Sequence, residues 1–204
     1  MKVILEPITH TYWDVDVFPH RQVPGVSHIL EVSGAKGNNP FEIHNDFYST
    51  RGHYAHKAAA LDHAGVLDEG TVDPRILGYL KAIRRFKDET GFVPVEWDVV
   101  VWDEDLYYAG TYDLGGYFPH TPEQEILIDL KSGSKAKWHE YQTAGYVLAR
   151  HKDRWQRIKA GPLYVRDNGR YTLDLMSPIT LAEGMSKWQE SVMKAKQMKE
   201  GGLW

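Results

Sequence analysis

The chain has 204 residues, 42% apolar, 25% charged and 12% aromatic, with a formal net charge of −4, the composition of an ordinary globular domain with one core. It contains no cysteine, which excludes a disulfide scaffold, a thiol nucleophile, a zinc ribbon and a cysteine-held iron–sulfur cluster. No apolar run is long enough to span a membrane, and residues 1–7 lose their apolar character too soon for a secretory signal, so a cytoplasmic setting is expected.

Residues 3–5, 10–13 and 23–27 read as short strands and turns, followed by a helix from Ser27 and a Gly/Asn-rich loop over 33–40. A long helix is expected over 46–64, with Asp46 as its N-cap and Gly65 as its stop. It carries Arg51-Gly52-His53-Tyr54-Ala55-His56. Glycine inside a helix costs about 1 kcal/mol, so Gly52 points to close packing, and His56 stands one turn further on. An imidazole there can complete a metal site or simply pack on a sheet. His53, His56 and His63 also admit a zinc reading, although His56 and His63 lie two turns apart and zinc helices favour one. A second helix is expected over 74–90, with Pro74 in its first turn and Ile76, Leu80, Ile83 and Phe86 as its apolar stripe.

The period then shortens. Residues 93–102, 106–118 and 125–131 read as consecutive strands, the first two a hairpin. Asp113 sits in Gly110-Thr111-Tyr112-Asp113-Leu114-Gly115-Gly116, and an acid in an aromatic, glycine-flanked strand is a poor core residue. It suits a metal, or else it caps its own turn. Ile126-Leu127-Ile128 is continuously apolar, as a central strand covered on both faces should be. Asp129-Leu130-Lys131 ends that strand. Residues i and i+2 share a side, so Asp129 can hold a divalent ion while Lys131 orients a water or offsets charge on a phosphate. None of the other 27 acidic residues has a lysine two places on, although a strand-end ion pair remains the competing reading. Carboxylates from neighbouring strands, Asp113 and Asp129, can clamp one Mg²⁺. Glu96 is weighed as a supporting acid, with Asp98 its competitor.

A helix follows over 137–152, where Gln142 and Tyr146, one turn apart, suit a phosphate or a base edge, or else contact their own core. Lys135, Lys137, Arg150, Arg154 and Arg157 lie in or beside it. Residues 131–170 hold ten Lys/Arg against three acids, while the remainder holds 14 basic against 25 acidic residues. That asymmetry suits a track for a polyanion or a merely solvated face. A hairpin, 163–165 and 170–175, turns at Asp167-Asn168-Gly169, and a last helix runs from a Thr180 cap to about Lys199. The succession predicts an α/β (α+β) fold, a mixed sheet flanked by helices.

Helix Gly-x-x-x-His, strand Asp, strand Asp-x-Lys and helix Gln-x-x-x-Tyr, in that order over 50–175, resemble the RecB-like branch of the PD-(D/E)XK nuclease superfamily, and within it the small exonucleases of bacteriophages and their mitochondrial relatives. The run from His10-Thr11-Tyr12 to Val23-Pro24-Gly25-Val26-Ser27 is similar to the opening of the phage group. The resemblance implies a restriction-endonuclease-like core in a single nuclease domain over 1–204, with 1–45 as decoration, 46–175 as catalytic core and 176–204 as a C-terminal helix. It implies Mg²⁺ or Mn²⁺ held by Asp113, Asp129, the Leu130 backbone carbonyl and His56. Lys131 would position the water. Gln142 and Tyr146, with Lys135, Lys137 and Arg154, would handle DNA. Tyr112 stands where many relatives have proline before the first acid, and the iron–sulfur site of some relatives is impossible without cysteine. The expected function is a metal-dependent DNA exonuclease of phage-type recombination, repair or genome processing, working with a recombination or single-strand-binding partner and away from membranes. Its alternatives are an endonuclease, a helicase-associated nuclease module, or a non-catalytic nucleic-acid-binding module.

Overall fold

The structure, a computed structural model, describes residues 1–37 and 46–202, and the side chains of all of these except 46–49. The side chain of Asp46, expected as a cap, and residues 38–40 of the expected loop lie outside what is described. Three short strands, β1 (Val3–Glu6), β2 (Thr11–Asp14) and β3 (Arg21–Val23), form an antiparallel sheet of their own. Helices α1 (Val26–Val32), α2 (Asp46–His63) and α3 (Leu77–Thr90) lead into the main sheet. That sheet has the order β4 (Val93–Asp103), β5 (Tyr108–Phe118), β6 (Thr121–Lys131), β7 (Lys159–Val165), β8 (Tyr171–Leu173). Only β6 and β7 are parallel, because α4 (Trp138–His151) crosses between them, as a parallel pair requires. Helix α5 (Pro178–Glu200) completes the described chain. The result is a mixed α/β fold, a five-stranded mixed sheet flanked by helices.

The apolar run in β6 is split between two cores, which is what a doubly covered strand requires. Leu127 packs with Tyr108, Val147 and Trp188 among α1, α4 and α5, while Ile126, Ile128 and Leu130 pack with Leu80, Ile83 and Phe86 of α3. The N-terminal sheet seals against β5 through Tyr12, Val23 and Ala109, and the Ala109 N–H donates to the Pro24 carbonyl (3.0 Å). Among the described residues no helix is long and apolar enough to cross a membrane.

Three boundaries differ from expectation for local reasons. Pro74 lies in a turn three residues ahead of α3, where the Asp73 carboxylate accepts the Arg75 N–H (2.8 Å) and stabilises the turn instead. Strand β6 starts at Thr121 because Phe118 pairs directly with it across a two-residue turn. Helix α5 is capped by Ser177, whose Oγ accepts the Thr180 N–H (3.1 Å) with Pro178 in the first turn, so Thr180 is already helical.

Candidate active site

The β5–β6 ladder ends, toward the C-terminus of β6, at the pair Leu114↔Ile128. Beyond that point the Leu130 N–H is taken by a side chain: Asp113 Oδ2 accepts it at 2.6 Å. A carboxylate thus replaces the usual ladder acceptor, and Asp113 and Asp129 face each other across the fork. Strand β6 continues along β7 through Lys131↔Tyr164, so Asp129 and Lys131 stay on a rigid, centrally placed strand.

Both acids are buried, Asp113 to 7% and Asp129 to 3% exposure. The other oxygen of Asp113 meets His56 Nδ1 at 2.7 Å. Burial alone would raise the Asp113 pKa, but His56, by charge and hydrogen bond, then Lys131 and the Leu130 N–H, hold it below the ordinary value. Burial equally works to lower the His56 pKa, and the Asp113 carboxylate more than offsets it, leaving the pKa raised. Asp129 goes the other way. Burial pushes its pKa up to about 6, with Lys131 opposing and the Asp113 charge adding. Lys131 Nζ forms an ion pair with Asp129 Oδ2 and holds the carboxylate by charge and hydrogen bond.

These groups line a cleft of about 530 Å³ together with Leu5, Pro7, His10, His53, Asp98, Thr111, Gln142 and Tyr146. Gln142 Nε2 donates to the Tyr146 hydroxyl (2.9 Å) and to Ser27 Oγ (2.9 Å), and Gln142 Oε1 is buried without a partner. Burial, then the charges of Asp129, Tyr12 and Asp113, raise the Tyr146 pKa well above the phenol range, so the hydroxyl stays protonated. Gly110 explains how the ring fits. A Cβ there would come within 2.5 Å of the Tyr146 ring and 2.8 Å of Val26 Cγ2.

The structure therefore brings Asp113, Asp129, Lys131, His56, Gln142 and Tyr146 into one cleft. His56 Nδ1 is committed to Asp113, so as a metal ligand it would need its other nitrogen; Leu130 touches Asp113 through its N–H. Gly52 is not forced by packing, since a Cβ would sit 3.5 Å from Ser132 Oγ, an ordinary contact. His63 stacks on Trp97 (5.0 Å), and the zinc reading gains no cluster. The basic residues divide. Lys135 pairs with Asp174 (2.5 Å) and Lys137 with Glu140 (2.7 Å) near the start of α4. Arg154 lies past the other end of that 14-residue helix, roughly 20 Å away, donating to His151 Nδ1 (3.3 Å). Glu96 is engaged elsewhere, accepting from Arg150 (2.7 Å) and from the Tyr112 hydroxyl (2.5 Å).

Asp98 is the residue whose place went unread. It stands between the pairs Trp97↔Leu114 and Val99↔Tyr112, opposite Asp113, with φ at 50°. Asp tolerates that left-handed backbone better than most residues. Its pKa is raised by burial and then by Asp113. Counting back from the turn pair Asp103↔Tyr108 puts Asp98 beside Asp113, a signal available once the hairpin is assumed.

A divalent ion fits the donor chemistry of two buried, mutually repelling carboxylates. Among the described residues, however, no three His, Asp or Glu side chains are gathered in a ready-made coordination group. The side-chain donors that fit are thus the two acids of the fork.

No family model and no curated protein matches the chain. Among solved structures, "Crystal Structure of LHK-Exo in complex with dAMP" is similar over 87% of this chain and 90% of that chain, at 12% identity and a TM-score of 0.41.

Proposed function

We propose that the chain is a Mg²⁺- or Mn²⁺-dependent deoxyribonuclease that works from DNA ends. One observation carries this: two buried carboxylates from diverging strands and a lysine share one cleft, with an amide and a protonated phenol on its wall. Asp113 and Asp129, with the Leu130 carbonyl, would hold the ion, which when bound supplies charge stabilisation at the phosphate and activates water. His56 orients Asp113 through its 2.7 Å contact. Lys131 places an ammonium where negative charge develops as the phosphodiester is attacked. Gln142 and Tyr146 present hydrogen-bonding groups to the strand and fix its approach.

End-directed action is supported by the wall of the cleft. Leu5 of β1, Pro7 and His10 of the turn that follows it, and His53, Lys57 and Leu61 of α2 line it together, a form that suits a strand entering by its end. The role in recombination, repair or genome processing, and a single-strand-binding partner, rest on the resemblance of the four motifs alone.

The test is digestion of end-labelled linear DNA beside closed circles, single- and double-stranded, in Mg²⁺, Mn²⁺, Ca²⁺ and EDTA. Mononucleotides released from linear DNA with Mg²⁺, circles spared and EDTA inhibitory, are expected. Cut circles would turn the reading to an endonuclease, and binding without cleavage in any ion would leave only a binding module.

A further inference from the structure

Lys131 has a second neighbour besides Asp129. Its Nζ stands 5.8 Å from the centroid of the Trp138 ring, and Lys36 Nζ stands 5.4 Å from the same ring. Trp138 is the first residue of α4, part-buried against the core formed with α1 and α5, and its ring meets His139 edge-on at 4.1 Å. The indole is therefore fixed by packing and offers its face to two ammonium groups. Both distances fall inside the range of about 6 Å over which a cation is drawn to an aromatic face.

We propose that Trp138 is a positioning residue that keeps the Lys131 ammonium at the cleft when Asp129 turns to a metal ion. This rests on the nuclease reading above. Asp129 cannot serve fully as both metal ligand and counter-ion of Lys131, so the lysine needs another anchor as the ion binds. An aromatic face suits, because it attracts the charge without accepting a directional N–H bond. The ammonium hydrogens stay available for water or a phosphate oxygen. A carboxylate in that place would occupy them and cancel the charge.

The experiment uses the full chain with end-labelled DNA and Mg²⁺. Tryptophans carrying one, two or three fluorines are placed at 138 alone by nonsense suppression, beside Trp138→Phe and Trp138→Leu. Fluorine withdraws charge from the ring face and leaves its packing nearly intact. kcat should fall stepwise with fluorine number, to about one tenth in Trp138→Leu and by a much smaller factor in Trp138→Phe, with KM unchanged. The metal-free protein supplies an independent reading by NMR. Lys131 Hε resonances, assigned with Lys131→Met, should be shifted upfield by the indole and return to ordinary positions in Trp138→Leu. A flat kcat across the fluorine series, or unshifted Lys131 resonances, would overturn the inference while leaving the nuclease reading intact. If the unsubstituted chain cleaves no DNA in any ion, the nuclease reading falls and takes the kinetic role of Trp138 with it; the Lys131–Trp138 contact is then decided by the resonances.

Discussion

Replacing Gly110 with alanine should damage the site from behind. The added Cβ would lie 2.5 Å from Tyr146 Cε1 and 2.8 Å from Val26 Cγ2, where ordinary contact is 3.4–4 Å. The Tyr146 ring must therefore retreat by about 1 Å. Retreat is hard, because Tyr146 and Val26 are 4% and 1% exposed and belong to one core. Overpacking of this kind costs about 1–3 kcal/mol. The same displacement loosens the 2.9 Å bond between Gln142 Nε2 and the Tyr146 hydroxyl, and a misplacement of about 1 Å can slow a reaction about a hundredfold. Urea unfolding, with the m-value checked for constancy, measures the first effect, and single-turnover cleavage in saturating Mg²⁺ measures the second. Tyr146→Ala supplies the decisive comparison. With the ring gone two of the three close contacts vanish and Val26 Cγ2, still 2.8 Å from the new methyl, has space to yield, so the double variant should be more stable than the sum of the single losses by about 1 kcal/mol or more. Additive losses, or a Gly110→Ala protein as stable and fast as the parent, would refute the packing argument.

Asp113→Asn and Asp129→Asn should each remove most cleavage in Mg²⁺ while circular dichroism reports an intact fold; full activity in either would place the metal elsewhere. Removing Lys135 and Lys137 should weaken DNA binding and flatten its salt dependence, at about 0.7–0.9 log–log units per lost phosphate contact, whereas Arg154→Ala should do neither, being at the far end of α4; equal effects of all three would put a continuous track back. His139 is kept neutral in the fold, its pKa lowered from 6.5 to about 3 by burial and then by Lys131 and Lys36. The unfolded chain therefore binds the extra proton, and the stability His139 contributes is whole above about pH 6.5 and lost as pH falls toward 3, by roughly 2–3 kcal/mol two pH units down. His139→Gln should flatten that decline in acid denaturation, and an unchanged slope would show that the proton is taken up elsewhere.

The acids of the fork are legible in sequence because the chemistry is short-range. Asp-x-Lys follows a run apolar enough to be central, and Gly110 to Gly116 marks an acid where packing has no use for one. Helix Gln142–Tyr146 is legible for the same reason, one turn separating the pair. Asp98 is not, since its place depends on the exact register of a hairpin and on a positive φ that no composition reveals. Nor is the contribution of residues 1–37 to the cleft. The Tyr12 hydroxyl reaches Thr111 Oγ1 at 3.0 Å and Ser27 Oγ reaches Gln142 at 2.9 Å, across 99 and 115 residues, and such contacts leave no local pattern. The Ser177 cap was within reach, because Ser-Pro ahead of an apolar stripe is a helix start.

The bond from the Leu130 N–H to Asp113 gives one residue two separable duties. An apolar residue at 113 would strand a buried N–H donor, at about 1–3 kcal/mol, whatever becomes of the reaction. Asparagine would keep the acceptor and discard the charge. Hydrogen-bonding capacity at 113 is thus demanded by the sheet, and only its ionisation by the chemistry. On the proposed function, a descendant of this chain that had abandoned hydrolysis would still be expected to carry Asp or Asn there. Positions 129 and 131 owe the backbone no such debt, and drift at those two would be the earlier sign of a retired active site.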